Sequence, residues 1–169
     1  MNDTPIRALV IGLGNPLMGD DGAGLAALAR LREDWLLPEG VELVDGGTWG
    51  MNLLPIIEGC PCVLLLDAID AGSPPGTLTV LERAEIPRYF QLKLSPHQID
   101  LREVLGLAEL RGKLPARLIA IGVQPERVEM GIALSPPVAR AVDKIAHAAV
   151  DALALAGFAC ERRLLPSDA

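Results

Sequence analysis

Ile6-Arg7-Ala8-Leu9-Val10-Ile11-Gly12-Leu13-Gly14-Asn15-Pro16-Leu17-Met18-Gly19-Asp20-Asp21-Gly22 decides the fold class of this chain. An apolar run over residues 6–11 has strand length and passes into a glycine-rich turn. The turn leads into a segment from about Asp21 to Arg32 in which Leu25, Leu28 and Ala29 recur at i, i+3 and i+4, the spacing of one apolar helix face. Strand, turn and amphipathic helix in this order open a parallel crossover unit.

The alternation continues to the end of the chain. Residues 41–44 read as a second strand, leaving through Asp45-Gly46-Gly47-Thr48-Trp49-Gly50 into a short helix over 52–57. Val63-Leu64-Leu65-Leu66 is the most continuous apolar strand and belongs at the centre of a sheet covered on both faces. Gly72-Ser73-Pro74-Pro75-Gly76 is a turn, and residues 77–81 alternate like a strand at an edge. An amphipathic helix follows over 99–110, then a buried strand over 118–123 and a long closing helix over 138–156. These signals predict one α/β domain over residues 1–160, a three-layer α/β/α arrangement around a mostly parallel sheet of about five strands. Residues 161–169 are expected to be a polar tail that frays.

Composition narrows the function classes. The 169 residues suffice for one domain with a real core. Half of them are hydrophobic, and only five are aromatic (Trp35, Trp49, Tyr89, Phe90, Phe158), so the core is aliphatic. A formal charge of -7 argues against a nucleic-acid partner, because binding phosphates requires clustered Lys and Arg. No stretch has the length to span a membrane, and the N-terminus lacks the plan of a secretory signal. Three cysteines, Cys60, Cys62 and Cys160, are an odd set without a second pair at metal-ligand spacing. They read as reduced, buried and inert thiols in a cytoplasmic protein.

In open α/β sheets ligands bind beyond the C-terminal ends of the strands. Here those ends carry Asp20 and Asp21, then Asp45, then Asp67 and Asp70. Carboxylates gathered at one edge repel one another and favour a cation. Consecutive residues at a helix start point about 100° apart, so Asp20 and Asp21 are expected to have separate tasks. Asp20 fits an N-cap, and the helix dipole alone would account for acids at both positions. Asp67 follows three leucines, where an Asx-turn through Asp70 is the plain alternative to a site. His97, in Ser95-Pro96-His97-Gln98, is expected to project from a loop ahead of a helix, and His147 to lie on a helix face. Two carboxylates and an imidazole make an O,O,N set suited to nickel or zinc with coordination positions left open.

Five ordered segments carry a resemblance across nearly the whole chain: Gly12-Leu13-Gly14-Asn15 with Asp20-Asp21-Gly22-Ala23-Gly24, Val44-Asp45-Gly46-Gly47-Thr48, Leu66-Asp67-Ala68-Ile69-Asp70, Ser95-Pro96-His97-Gln98 and Gly122-Val123-Gln124-Pro125. Together they closely resemble the hydrogenase maturation endopeptidases, especially those serving membrane-bound uptake hydrogenases. The resemblance implies an endopeptidase that removes the C-terminal extension of a nickel-iron hydrogenase large-subunit precursor once nickel is in place. It puts metal recognition and the candidate catalytic set on Asp21, Asp67 and His97, with Asp21 where many members carry Glu. The nickel implied is the substrate's own, and no tightly bound metal belonging to this chain is expected. Asp45, Gly46, Gly47 and Thr48 are the candidate docking loop for the precursor.

Two rival readings share the opening loop. Gly-Leu-Gly-Asn-Pro after a first strand also opens peptidyl-tRNA hydrolases, although the tyrosine and the Thr-x-His-Asn segment that follow there are missing. A dinucleotide-binding module would need a third glycine where Leu17 stands. Neither a Gly-x-Ser-x-Gly elbow nor a His-Glu-x-x-His helix occurs, which leaves serine and zincin mechanisms unsupported.

Overall fold

The computed structural model describes residues 5–47, 50–86 and 96–164, and the side chains of all of these except 96–100. Strand β1 spans Ala8–Leu13, and a 3-10 turn over Gly19–Gly22 precedes helix α1, Ala23–Asp34. Strands β2 (Trp35–Leu36) and β3 (Val41–Gly47) follow, then a 3-10 turn over Gly50–Leu53 and helix α2, Leu54–Glu58. Strands β4 (Cys62–Ala68) and β5 (Leu78–Glu82) precede helix α3, Pro96–Leu110. Strand β6 (Arg117–Val123), helix α4 (Pro136–Leu155) and strand β7 (Glu161–Arg162) are the last elements among the described residues.

The main sheet has five strands in the order β3-β1-β4-β6-β5, parallel except for β5, which runs antiparallel to β6 at the edge. Every residue of β4 is buried, as its unbroken apolar sequence requires of a central strand. Side chains alternate between two cores. Val10, Leu64, Leu66 and Ile121 point toward Leu28 and Leu31 of α1 and Val138 and Ile145 of α4. Leu9, Ile11, Val63 and Leu65 point the other way, toward Ile57 of α2 and Leu101, Val104 and Leu105 of α3. The three-layer α/β/α arrangement expected from the sequence is the one found.

The path of the chain fixes where a crevice forms. From β1 it passes through α1 to β3 on one side, then returns through α2 on the opposite face to β4 on the other side of β1. The strand order therefore reverses between β1 and β4, and their C-terminal ends part there. Gly12 pairs with Leu66 across these strands, so the chain turns away from β4 at Leu13-Gly14, level with Asp67 near the end of β4. Gly24 brings α1 close against this point, because a Cβ there would overlap the Leu66 carbonyl oxygen.

Of the tail expected to fray, residues 161–163 are fastened to the chain after α1, and residues 165–169 lie outside the described residues. Trp35 and Leu36 pair antiparallel with Arg162 and Glu161, and the Arg163 N–H donates to the Asp34 carbonyl at 2.8 Å. The Arg162 guanidinium lies 5.5 Å over the Trp35 ring, whose other neighbour is His147, edge-on at 5.5 Å. His147 is exposed on α4 as the sequence implied. Its neighbour Trp35 stands between the end of α1 and the start of β3, which puts His147 at the end of the sheet away from Asp67.

Candidate active site

The loop between β1 and α1 must turn sharply enough to bring its acids back over β4. Gly14 makes that turn at φ 116°, in the left-handed region that disfavours side chains. A Cβ there would overlap the Asp21 carbonyl oxygen and stand 3.6 Å from Asp67 Oδ1. The segment bearing Asp21 and the end of β4 bearing Asp67 thus meet at one residue. Both aspartates are buried, at 4% and 1% exposed. The Asn15 N–H donates to Asp21 Oδ2 at 3.0 Å, and the Ala68 N–H donates to Asp67 Oδ1 at 2.8 Å. Carboxylate oxygens are hard donors of the kind a divalent cation takes.

Asp67 is not the start of an Asx-turn, since it lies inside β4 and bonds the next residue's N–H. The turn belongs to Asp70, whose Oδ1 accepts from the Gly72 N–H at 3.2 Å and from Gln124 Nε2 at 3.0 Å. Gln124 Oε1 in turn accepts from Ala71 N–H at 2.7 Å and Ser73 N–H at 3.2 Å, fastening the loop after β4 to the end of β6.

Asp20 departs from the reading as a helix cap. The residue ahead of α1 is Gly22, and the Asp20 carboxylate points the other way, into the loop before α4. Its Oδ2 accepts from the N–H groups of Glu126 at 2.8 Å and Arg127 at 2.9 Å and from the Ser135 hydroxyl at 2.7 Å, while Oδ1 accepts from the Ser135 N–H at 2.7 Å. Burial pushes its carboxyl up, but the donors from Arg127, Ser135 and Glu126 outweigh burial and hold it below the ordinary carboxylate value. These partners stand 106 to 115 residues away in sequence, out of reach of a local pattern. Ser135, just ahead of two prolines that start α4, gives only the sign of a helix start.

His97 was expected on a loop, yet α3 begins at Pro96, so His97 is its second residue. Proline tolerates the first helical position because its missing N–H would have had no partner. The His97 side chain lies outside the described residues. Among the described residues, no group of three His, Cys, Asp or Glu side chains is arranged to hold a metal ion. Of the candidate docking loop, Asp45 is exposed on β3, level with Gly12, and Gly46 is the extra residue of a bulge opposite β1. Thr48 lies outside the described residues. Cys60 and Cys62 are buried and Cys160 half-buried, and burial pushes all three thiols up, which makes them poor nucleophiles. No helix among the described residues is long and apolar enough to cross a membrane.

A hydrogenase maturation protease family model matches residues 26–152, a span that includes Asp67 and His97 and begins after Asp21. The "Hydrogenase expression/formation protein HoxM" of Azotobacter vinelandii is 38% identical over 162 residues, covering 95% of this chain and 78% of that protein. The "Hydrogenase 2 maturation protease" of Escherichia coli K12 is 36% identical over 153 residues, covering 90% and 93%. Among solved structures, the hydrogenase maturating endopeptidase HybD from E. coli superposes with a TM-score of 0.89 at 35% identity, covering 93% of this chain and 98% of that one. The [NiFe] hydrogenase maturation protease HybD from Thermococcus kodakarensis does so with a TM-score of 0.70 at 30% identity, covering 85% and 96%.

Proposed function

Because this chain belongs to the hydrogenase maturation protease family and is a peptidase, we propose that it removes the C-terminal extension of a nickel-iron hydrogenase large-subunit precursor and recognises the nickel already bound in that precursor. The observation that carries this reading is the meeting of Asp21 and Asp67 at Gly14, at the point where the strand order reverses. Two buried carboxylates, borne on segments that meet at Gly14 and each accepting a backbone N–H, supply hard oxygen donors and negative potential for a divalent cation. His97, at the start of α3, is the nitrogen donor in this proposal. A ligand set of three leaves positions open, so the metal keeps its bonds to the precursor while the chain grips it. The nickel then acts as a tag that brings the precursor's tail to Asp21 and Asp67, and the same three residues form the candidate catalytic set.

The family membership decides between the readings of the opening loop. The glycines there serve the approach of Asp21 to Asp67 and of α1 to β4. An overall charge of -7 is consistent with a cationic feature in the substrate.

Incubating the purified chain with nickel-loaded and nickel-free precursor, and weighing the products by mass spectrometry, tests the proposal. A tail released only from the loaded precursor is the expected result. Equal cleavage of both forms would remove nickel from the recognition step, and cleavage of neither would remove the precursor as substrate.

A further inference from the structure

The loop between β6 and α4 is bound to the loop that carries Asp21, and the two together display apolar side chains to solvent. Met18 and Gly131 form a parallel bridge, the Gly131 N–H donates to the Leu17 carbonyl at 2.9 Å, and the Gly19 N–H donates to the Gly131 carbonyl at 2.8 Å. The bridge and its two hydrogen bonds bring three apolar residues into one neighbourhood, Leu17, Met130 and Ile132. They are 61%, 89% and 83% exposed. A hollow of about 240 Å³ opens beside Met130 and Ile132. Small-molecule sites run to roughly 300–1,000 Å³, so this one suits a side chain.

Single exposed apolar residues are ordinary, but three adjoining ones mark a contact surface. The loop is no loose excursion, since the buried Asp20 carboxylate holds it at Glu126, Arg127 and Ser135. It stands at the edge of the sheet where Asp21 and Asp67 meet, and Leu17 belongs to the same short loop as Asp21. Exposed Glu129 and Arg127 line that hollow, and exposed Glu126 precedes them in the chain, so two acids stand against one base beside the apolar group. A partner fitting this surface presents an apolar segment with a basic side chain beside it.

We propose that Leu17, Met130 and Ile132 form the surface on which the precursor protein docks, with a basic side chain of the precursor against Glu126 and Glu129. This rests on the reading that a large-subunit precursor is the substrate. A folded protein substrate needs contact beyond the cut, and this surface is continuous with the candidate site.

The test compares wild type with a Met130→Gln/Ile132→Asn variant, measuring precursor binding and processing on the same samples. The docking surface predicts an affinity lower by about tenfold or more and a KM raised to match. kcat should stay within about twofold, as expected when binding common to ground and transition states is removed. Both positions are exposed, so the melting temperature should hold. If the double variant loses its fold, Leu17→Gln probes the same surface from its other side. Unchanged binding and KM overturn the docking proposal even when wild type cleaves normally. A wild type that binds without cleaving contradicts the functional reading, and the binding ratio still decides the surface. A wild type that neither binds nor cleaves overturns both. Sedimentation showing a wild-type dimer that the substitutions dissociate would give the surface to a second copy of this chain, and the proposal would fall.

Discussion

Asp20 and Asp21 are adjacent, yet their carboxylates serve different partners, and the difference is measurable. Asp20 is the acceptor for three backbone N–H groups and one hydroxyl in a site it shares with Ser135, both residues being 1% exposed. Asp20→Ala leaves those donors without their acceptor, and unmet buried donors cost about 1–3 kcal/mol each where water cannot reach them. We expect a loss of roughly 3 kcal/mol or more, read from the denaturant midpoint, well above the roughly 1 kcal/mol of a lost helix cap. Its dependence on pH follows from the lowered carboxyl. The stabilisation is complete above the unfolded carboxylate value of about 3.9 and is lost as pH falls through the lower native value. The stability gap between wild type and Asp20→Asn should thus be constant from about pH 5 to 8 and shrink in acid. A gap that widened in acid would reverse the sign of this account. That the two aspartates part ways was legible from the turn of a helix. Asp20's true partners were not, because they come from the far end of the chain.

At the scale of elements, apolar periodicity located the four helices α1–α4 and the five long strands to within a few residues. What it missed has physical causes. Alternation marks residues 77–81 as a strand but carries no sign of direction, so the antiparallel setting of β5 was silent. Strands β2 and β7 are two residues each and have no period to read. The start of α1 was placed too early, since a 3-10 turn over Gly19–Gly22 has nearly the same local pattern as a helix start. Two helical glycines turn this into a paired test. Alanine is favoured over glycine in a helix interior by about 1 kcal/mol. At Gly106 of α3 a Cβ would meet nothing within 4 Å, so Gly106→Ala should stabilise by about 0.5–1 kcal/mol. At Gly24 a Cβ would overlap the Leu66 carbonyl oxygen, and overpacking of about 1–3 kcal/mol outweighs the propensity gain. Gly24→Ala should lower the melting temperature while Gly106→Ala raises it. A rise in both would mean that α1 does not bear on β4 as closely as described.

Over the whole molecule, the layered α/β/α fold was legible because each connection from one long strand to the next follows a chain of local signals. The order of the strands was not, yet it sets the crevice between β1 and β4 and so the meeting of Asp21 with Asp67. The acids at the strand ends were visible as a group in the sequence. Which of them converge depends on that order: Asp45 leaves the sheet on its outer strand, and Asp70 is taken up by Gln124. In the proposed function Asp21 and Asp67 read the nickel of the precursor. Its most direct test is the ratio of affinities for nickel-loaded and nickel-free precursor, measured for wild type and for Asp67→Asn at matched melting temperature. We expect a wild-type ratio of about ten or more, equivalent to at least about 1.4 kcal/mol, falling to near one in Asp67→Asn. A ratio near one for wild type, or one that the substitution leaves unchanged, would contradict it.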